Sequence, residues 1–155
     1  MRSFTAIFFL LLSFAPAMDS DAVNEDGQNP FVLIARVHIK QGTFDEYFKV
    51  ADAVDAAVQR TEPGMLFHNF DADPDDNLAF TWTEVYENSS AFLAHANNPP
   101  VLDYVAQHSQ LGDGFSIEIY GNVSANVIER IHELKFPLKH FKTTQIGFVR
   151  ASITD

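Results

Sequence analysis

The first clear pattern after residue 30 is a run rich in β-branched residues, Phe31 to Ile39, whose second half alternates between apolar and polar side chains. This pattern predicts a strand. Beyond the turn at Gly42, apolar residues recur at helical spacing as far as Pro63, which predicts an amphipathic helix. Thr43 and Glu46 have the spacing of a capping box at its start. Its apolar face is predicted to hold Phe44, Phe48, Ala51, Val54 and Val58.

The rest of the chain continues the succession of strands and helices. Further strands are predicted over 65–70, 78–86, 115–120 and 140–150, and further helices after Asn88 or Ser89, after Pro99 and after Ser124. The short polar link before residue 78 makes the second and third strands an antiparallel hairpin. Up to residue 120 the order is β-α-β-β-α-β, which predicts an α+β, ferredoxin-like domain with an antiparallel sheet. A C-terminal helix and strand extend that domain.

The predicted sheet has one face without a cover. Helices pack on one side of a ferredoxin-like sheet, yet the first and third strands carry large side chains on both faces. A large apolar surface left in water favours association, and a second copy of the chain is the simplest cover. We therefore expect a homodimer.

The N-terminus has the pattern of a secretory signal peptide. Arg2 precedes an apolar run, and Ala15-Pro16-Ala17 offers a site for cleavage after small residues. The run is too short to span a bilayer, so no membrane association is expected after cleavage. Residues 1–17 are predicted to be the signal peptide and 18–30 a disordered acidic linker, followed by the domain at 31–120 and an extension at 121–155. The protein is expected to be secreted or to enter the secretory pathway; the sequence around Phe14 leaves the plastid of an alga with complex plastids as the alternative.

Charge and composition narrow the possible partners. With 21 acidic and 10 basic side chains, the formal net charge is −11. Such a chain repels phosphate backbones, so no nucleic-acid partner is expected. The sequence has no Cys, which excludes disulfides and thiolate ligands. Its six His form no H-x-H or H-x-x-x-H pair, and therefore no metal site is predicted.

Several segments, in this order and spacing, resemble one known family. They are Lys40-Gln41-Gly42 after the first strand, Glu62-Pro63-Gly64 before the second, the strand Phe80 to Tyr86, and Ser90-Ala-Phe-Leu-Ala-His95 after it. Over residues 31–120 the chain resembles the antibiotic biosynthesis monooxygenase (ABM) domain, a dimeric α/β-barrel family. The resemblance implies two sheets packed face to face, with a pocket in each subunit between sheet and helices.

The resemblance also carries expectations about activity. Several members of the family oxidise electron-rich aromatics such as anthrones or quinols with O₂ and no bound cofactor, whereas others degrade haem. The haem-degrading members have an Asn on the first strand and a Trp on the second helix, where this chain has Ala35 and a position near His95. Haem breakdown is therefore not expected, although His108 falls near the family's His ligand. No cofactor is predicted.

The chemistry of cofactor-free oxygenation indicates which residues to examine. A base must remove a phenolic proton, polar groups must stabilise the resulting charge, and apolar walls must exclude water. His95, His68 and Trp82 are the candidate catalytic residues, since His titrates near neutral pH and His68 would approach Trp82 or Glu84 across the hairpin. The candidate substrate-binding residues are Tyr86, Phe92, His108 and Phe67.

Two functions remain open from the sequence. The first is an ABM-like, cofactor-independent monooxygenase acting on a small aromatic or quinol-like substrate. The alternative is a non-catalytic module that binds a small ligand or only associates with itself. A structural role for each His and each strand aromatic also remains open, because aromatic residues at strand spacing commonly form the core.

Overall fold

A computed structural model describes residues 27–148. The strands are β1 (Phe31–Ile39), β2 (Met65–Ala72), β3 (Ala79–Tyr86), β4 (Gly112–Tyr120) and β5 (Leu138–Phe141), and the helices are α1 (Phe44–Thr61), α2 (Ser89–Ala96), α3 (Pro99–Leu111) and α4 (Ala125–Glu133). The predicted α+β, ferredoxin-like order is confirmed. The predicted signal peptide and the predicted linker up to residue 26 lie outside the described residues. Within that predicted linker, the Gly27 carbonyl accepts a hydrogen bond from the Ser89 N–H.

One five-stranded sheet has the order β2-β3-β1-β4-β5. β1 lies between β3 and β4 and is antiparallel to both, and β2 and β3 form the predicted antiparallel hairpin. β5 is parallel to β4, an arrangement that requires a crossover, and α4 provides it. The helices pack on one face of the sheet, where alternate residues of β1 and β3 are buried.

The N-terminal part of α1 differs from the predicted pattern. The Thr43 side chain makes no capping bond, because its hydroxyl donates to the carbonyls of Lys40 and Leu111 instead. The predicted capping box is therefore wrong. The buried face of α1 consists of Tyr47, Ala51, Val54, Ala57 and Val58, whereas Phe44 and Phe48 are partly exposed and stack on each other.

Strand ends also differ from the prediction. A bulge between Met65 and Phe67 leaves Leu66 exposed, although alternation predicts it on the face of His68. β5 begins at Leu138 and ends at Phe141, so the predicted strand over 140–150 is wrong in both bounds. The reason is that Phe141 pairs with Tyr120, the last residue of β4, so within residues 27–148 β5 has no partner strand beyond that point.

Gly112 is both the C-cap residue of α3 and the first residue of β4. A Cβ at this position would collide with the ring of His108, so the close approach of β4 to α3 requires glycine here. None of the helices within residues 27–148 is long and apolar enough to cross a membrane.

Candidate active site

An apolar cavity of about 60 Å³ lies between the sheet and the helices. Leu33, Ala35 and Ile117 line it from the sheet, and Val54, Phe92 and Val101 line it from the helices. Trp82 and Tyr104 are aromatic residues of the wall, and the acidic and basic residues that line the cavity are His68, Glu84 and His95. Charged groups are costly to bury in such surroundings unless they are paired. Each of them has a polar partner.

His95 forms a buried pair with Glu62. Its Nδ1 is 2.8 Å from Oε2 of Glu62, and the Nδ2 of Asn98 donates to Oε1 of the same carboxylate at 2.6 Å. Glu62 follows α1 directly, and His95 lies in the last turn of α2. The bond fixes the imidazole through Nδ1, which leaves Nε2 as the ring nitrogen available to an occupant of the cavity.

Burial and hydrogen bonding shift the pKa values of this pair in opposite directions. Burial lowers the pKa of His95, but the hydrogen bond to Glu62 and the charges of Glu84 and Glu62 outweigh burial and raise that pKa above its ordinary value of 6.5. Burial likewise raises the pKa of Glu62, yet its bonds to His95 and Asn98 bring it below 4.5. The raised pKa of His95 and the lowered pKa of Glu62 reflect the same interaction, in which the Glu62 carboxylate stabilises the His95 imidazolium.

His68 connects the cavity to the outer surface. It pairs with Glu84 across the β2–β3 hairpin, and its ring stacks on Trp82 with centroids 4.4 Å apart and planes at 16°. Its Nδ1 is 2.8 Å from Oδ1 of Asp55, whose side chain is 48% exposed, and its Nε2 is 3.9 Å from Oε1 of Glu84. The approach to Trp82 and Glu84 expected from the hairpin is observed.

Glu84 is a buried carboxylate on an otherwise aromatic strand face. The Tyr86 hydroxyl donates to its Oε2 at 2.6 Å. Burial, followed by the charge of Glu84 and this hydrogen bond, raises the pKa of Tyr86 well above 10.0, so the phenol remains protonated and is a permanent donor. Glu84 thus lies between Tyr86 on one side and His68 on the other.

A second hydrogen-bonded chain begins at Trp82. The Nε1–H of Trp82 donates to the Tyr104 hydroxyl at 2.8 Å. The Tyr104 hydroxyl is 2.6 Å from the Tyr47 hydroxyl, and the Tyr47 hydroxyl is 2.8 Å from Nδ1 of His108. Burial raises the pKa of Tyr104 to about 12, although its bonds to Tyr47 and Trp82 act in the opposite direction. Burial also lowers the pKa of His108, so this chain is uncharged at neutral pH.

A larger groove of about 380 Å³ lies outside the cavity, between α1 and β2. His68 and Trp82 line both the groove and the cavity, so their stacked rings form the partition between the two. The other groove residues include Phe48, Asp52, Asp55 and Phe70.

Comparison with known proteins identifies the family of this chain. The profile of the family described as "Antibiotic biosynthesis monooxygenase" matches residues 30–107, which is half of the chain. The chain belongs to the antibiotic biosynthesis monooxygenase family. An uncharacterised protein of Synechocystis sp. is 25% identical over 108 residues, which cover 70% of this chain and 69% of the relative.

Solved structures share the ABM fold. A proposed antibiotic biosynthesis monooxygenase from Caulobacter crescentus superposes with a TM-score of 0.59 and 20% identity, over 63% of this chain and 92% of that one. Another from Nitrosomonas europaea gives a TM-score of 0.56 and 19% identity, over 61% of this chain and 90% of that one. At these identities the likeness concerns the fold.

Four of the residues singled out in the sequence line the cavity of this ABM domain. They are His95, His68, Trp82 and Phe92. Tyr86 and His108 lie behind the cavity wall. Tyr86 donates to the wall residue Glu84, and His108 bonds to Tyr47, which in turn bonds to the wall residue Tyr104. Phe67 is 44% exposed on the opposite face of the sheet and does not line the cavity. A functional role for any of these side chains stays a prediction.

Sequence reasoning named Glu84 only as a group that His68 would approach, and it overlooked Tyr47 and Glu62. Glu84 occupies an inward position between Trp82 and Tyr86, and a charge on an apolar strand face is a signal for a buried pair. Tyr47 has the spacing of Ala51 and the later buried positions of α1, a signal equally present in the sequence. Glu62 had no local signal as a partner of His95. In residues 27–148, no three His, Asp or Glu side chains converge in a way that could hold a metal ion.

Proposed function

We propose that this ABM-family protein is a cofactor-independent monooxygenase that oxidises a small aromatic or quinol-like substrate with O₂. The observation that carries the proposal is the position of His95, which lines an apolar cavity while a buried carboxylate holds its Nδ1. This is the arrangement of an oriented general base, in which the carboxylate stabilises the imidazolium formed by proton transfer.

The first step is removal of a phenolic proton. Nε2 of neutral His95 accepts the proton, and the charge on Glu62 favours the resulting imidazolium. The raised pKa of His95 brings the base closer to the pKa of a phenol, which is about 10 for tyrosine. Apolar walls such as Leu33 and Val101 keep water from competing for the anion.

The oxidation itself balances without an added reductant. The ring anion passes one electron to O₂, and the superoxide and ring radical then combine to form a C–O bond. Proton transfer from His95 gives a hydroperoxide. The O–O bond breaks as the same carbon loses its hydrogen as a proton, which yields a quinone carbonyl and one water. One oxygen atom enters the product, and the substrate supplies all four electrons.

Size supports a second candidate, a non-catalytic site for a small apolar ligand. The cavity of about 60 Å³ is smaller than the roughly 150 Å³ of an engineered apolar cavity known to hold benzene. A volume of this size suits a few water-sized molecules, so an aromatic ring requires wall side chains to move. A module that binds without reacting needs no base, which makes His95 the residue that separates the two candidates.

We propose further that the chain acts as a homodimer. On the sheet face opposite the helices, the register aligns one apolar residue from each strand in a single row: Phe67, Val85, Val32, Tyr120 and Phe141. This continuous row supports pairing with a second copy through the sheet. Delivery to the secretory pathway is also proposed, and N-terminal sequencing of protein from its native host tests cleavage after Ala17.

Oxygen uptake tests the enzymatic proposal. Purified protein is supplied with a panel of phenols, quinols and anthrones, and His95→Gln is compared with wild type. Gln retains a hydrogen bond to Glu62 but cannot serve as the base. His132→Gln, on the exposed surface of α4, is the matched control. Uptake that depends on His95 and not on His132 supports the oxygenase, whereas saturable binding without any uptake favours the non-catalytic site.

A further inference from the structure

Four residues of the cavity wall lie beyond residue 107, where the match to the ABM family ends. Phe115 and Ile117 belong to β4, whereas Leu134 and Phe136 follow α4. Leu134 and Phe136 lie in the turn between α4 and β5, in the C-terminal extension. The extension therefore adds a side to a cavity whose other walls come from the sheet and from α1, α2 and α3.

Phe136 packs directly against the sheet. Its ring stacks on Phe115 of β4, with centroids 4.2 Å apart and planes at 22°, and Phe115 in turn contacts the edge of His108. Phe115 also lines the cavity. The stacked pair thus forms an aromatic wall that joins the extension to the domain.

The turn is anchored on both sides. α4 buries Val127 and Ile131 completely, and Nη2 of Arg130 donates to the carbonyl of Ala96, a cavity residue of α2. On the other side the Pro137 carbonyl accepts a hydrogen bond from the N–H of Ile117, another cavity residue. Anchors at both ends make this segment a fixed wall.

Backbone geometry at Lys135 supports the same conclusion. This residue lies between the two wall residues and has a φ of 62°, in the left-handed region that side chains other than glycine rarely adopt. Its N–H donates to the carbonyl of His132. A left-handed residue reverses the chain direction after α4, which carries Leu134 and Phe136 to the cavity side by side.

We propose that Leu134 and Phe136 set the upper size limit of the molecule that occupies the cavity, so that a compound with one aromatic ring binds more readily than one with two. The inference rests on the proposed function only for the nature of the occupant; the wall itself is independent of any reaction. In this view the extension is the specificity element of the domain.

Binding of phenol and of 1-naphthol tests the size limit. Both compounds are titrated into the full-length protein, and the methyl NMR signals of cavity residues Leu33, Val54 and Val101 report occupancy. Phe136→Ala should lower the ratio of the 1-naphthol Kd to the phenol Kd by about tenfold or more, the scale on which a pocket discriminates by size. Phe141→Ala is the matched control, because Phe141 is an aromatic residue of the same extension on the opposite sheet face.

An unchanged ratio in Phe136→Ala overturns the proposal, and so does an equal fall in Phe141→Ala. Absence of binding by both wild type and Phe136→Ala also overturns it. Should circular dichroism show that Phe136→Ala is unfolded, Leu134→Ala takes its place with the same expected fall. Leu134→Phe should have the opposite effect: a larger side chain fills part of the cavity and should weaken phenol binding. None of these readouts uses turnover, so a failure of the oxygenase proposal would leave this test intact.

Discussion

His68 lies flat against Trp82, with 4.4 Å between the ring centroids, while the Asp55 carboxylate is hydrogen-bonded to Nδ1 at the edge of the imidazole. The stack closes the cavity toward the outer groove, and the imidazole is the polar link between the solvent-accessible Asp55 and the buried Glu84. A His in this position can carry a proton out of an otherwise closed site.

Replacement of His68 by Phe should separate its two roles. A phenyl ring keeps the stack on Trp82 but has no nitrogen to transfer a proton. We expect the rate of O₂ uptake to fall by about 100-fold, the scale of general acid–base catalysis, with little loss of phenol binding. The same change at His132, exposed on α4, should leave uptake unaltered. Equal rates in His68→Phe and wild type would remove His68 from the mechanism.

Glu62→Gln should move the pH dependence of the reaction. The rate requires neutral His95, so kcat/KM should rise with pH as His95 loses its proton. The midpoint of this rise should lie above 6.5, the ordinary pKa of histidine, because the pKa of His95 is raised. Loss of the Glu62 charge removes a stabilising partner of the imidazolium, which lowers the pKa of His95. The rising limb of the profile should therefore shift to lower pH, and the limiting rate should fall because the base is weaker.

The control for that shift is Glu129→Gln, which removes the same charge from the exposed surface of α4. It should leave the profile in place. A profile that is identical in wild type and Glu62→Gln, or one that moves toward higher pH, contradicts the assignment of His95 as the base.

Stability should also depend on pH through the Glu62–His95 pair. The raised pKa of His95 contributes stability that is complete below about 6.5 and is lost as pH rises through the folded-state value. The lowered pKa of Glu62 contributes stability that is complete above about 4.5 and is lost as pH falls through its own folded-state value. Urea unfolding over a pH series should show the pair's contribution fully present between these limits. In His95→Gln the dependence near neutral pH should flatten; an unchanged curve would assign it to other groups.

The two histidine pairs also show what the sequence can and cannot reveal. The approach of His68 to Glu84 follows from the register of a hairpin with a short link, which is local information. The His95–Glu62 bond joins residues 33 positions apart and depends on how α1 packs against α2, which no local pattern specifies. The end of β5 likewise depends on a distant partner, since β4 ends at Tyr120. The pattern of residues 140–150 contains no information about where β4 ends, so it could not predict where β5 ends.

The buried Tyr47 hydroxyl should contribute to stability. It bonds to Tyr104 and His108 at once, and Tyr47→Phe leaves both without this partner. An unmade hydrogen bond in a buried site costs about 1–3 kcal/mol, so the free energy of unfolding should fall by that amount. Ser109→Ala is the control, because its hydroxyl donates to the carbonyl of Ala106 in an exposed position of α3. Equal losses for the two variants would show that burial of the Tyr47 network has no special weight.

Val32→Lys should prevent self-association if two copies pair through their sheets. Val32 lies in β1, at the centre of the apolar row, and pairs with Val85 on one side and Tyr120 on the other. Two copies packed face to face would bury a lysine ammonium without a carboxylate in that row, and an unpaired buried charge is strongly unfavourable. Light scattering after gel filtration should therefore give a dimeric mass for wild type and a monomeric mass for Val32→Lys. Gln59→Lys, on the exposed side of α1, adds the same charge away from the sheet and should remain dimeric. A monomeric wild type, or a dimeric Val32→Lys, would show that this face does not mediate pairing.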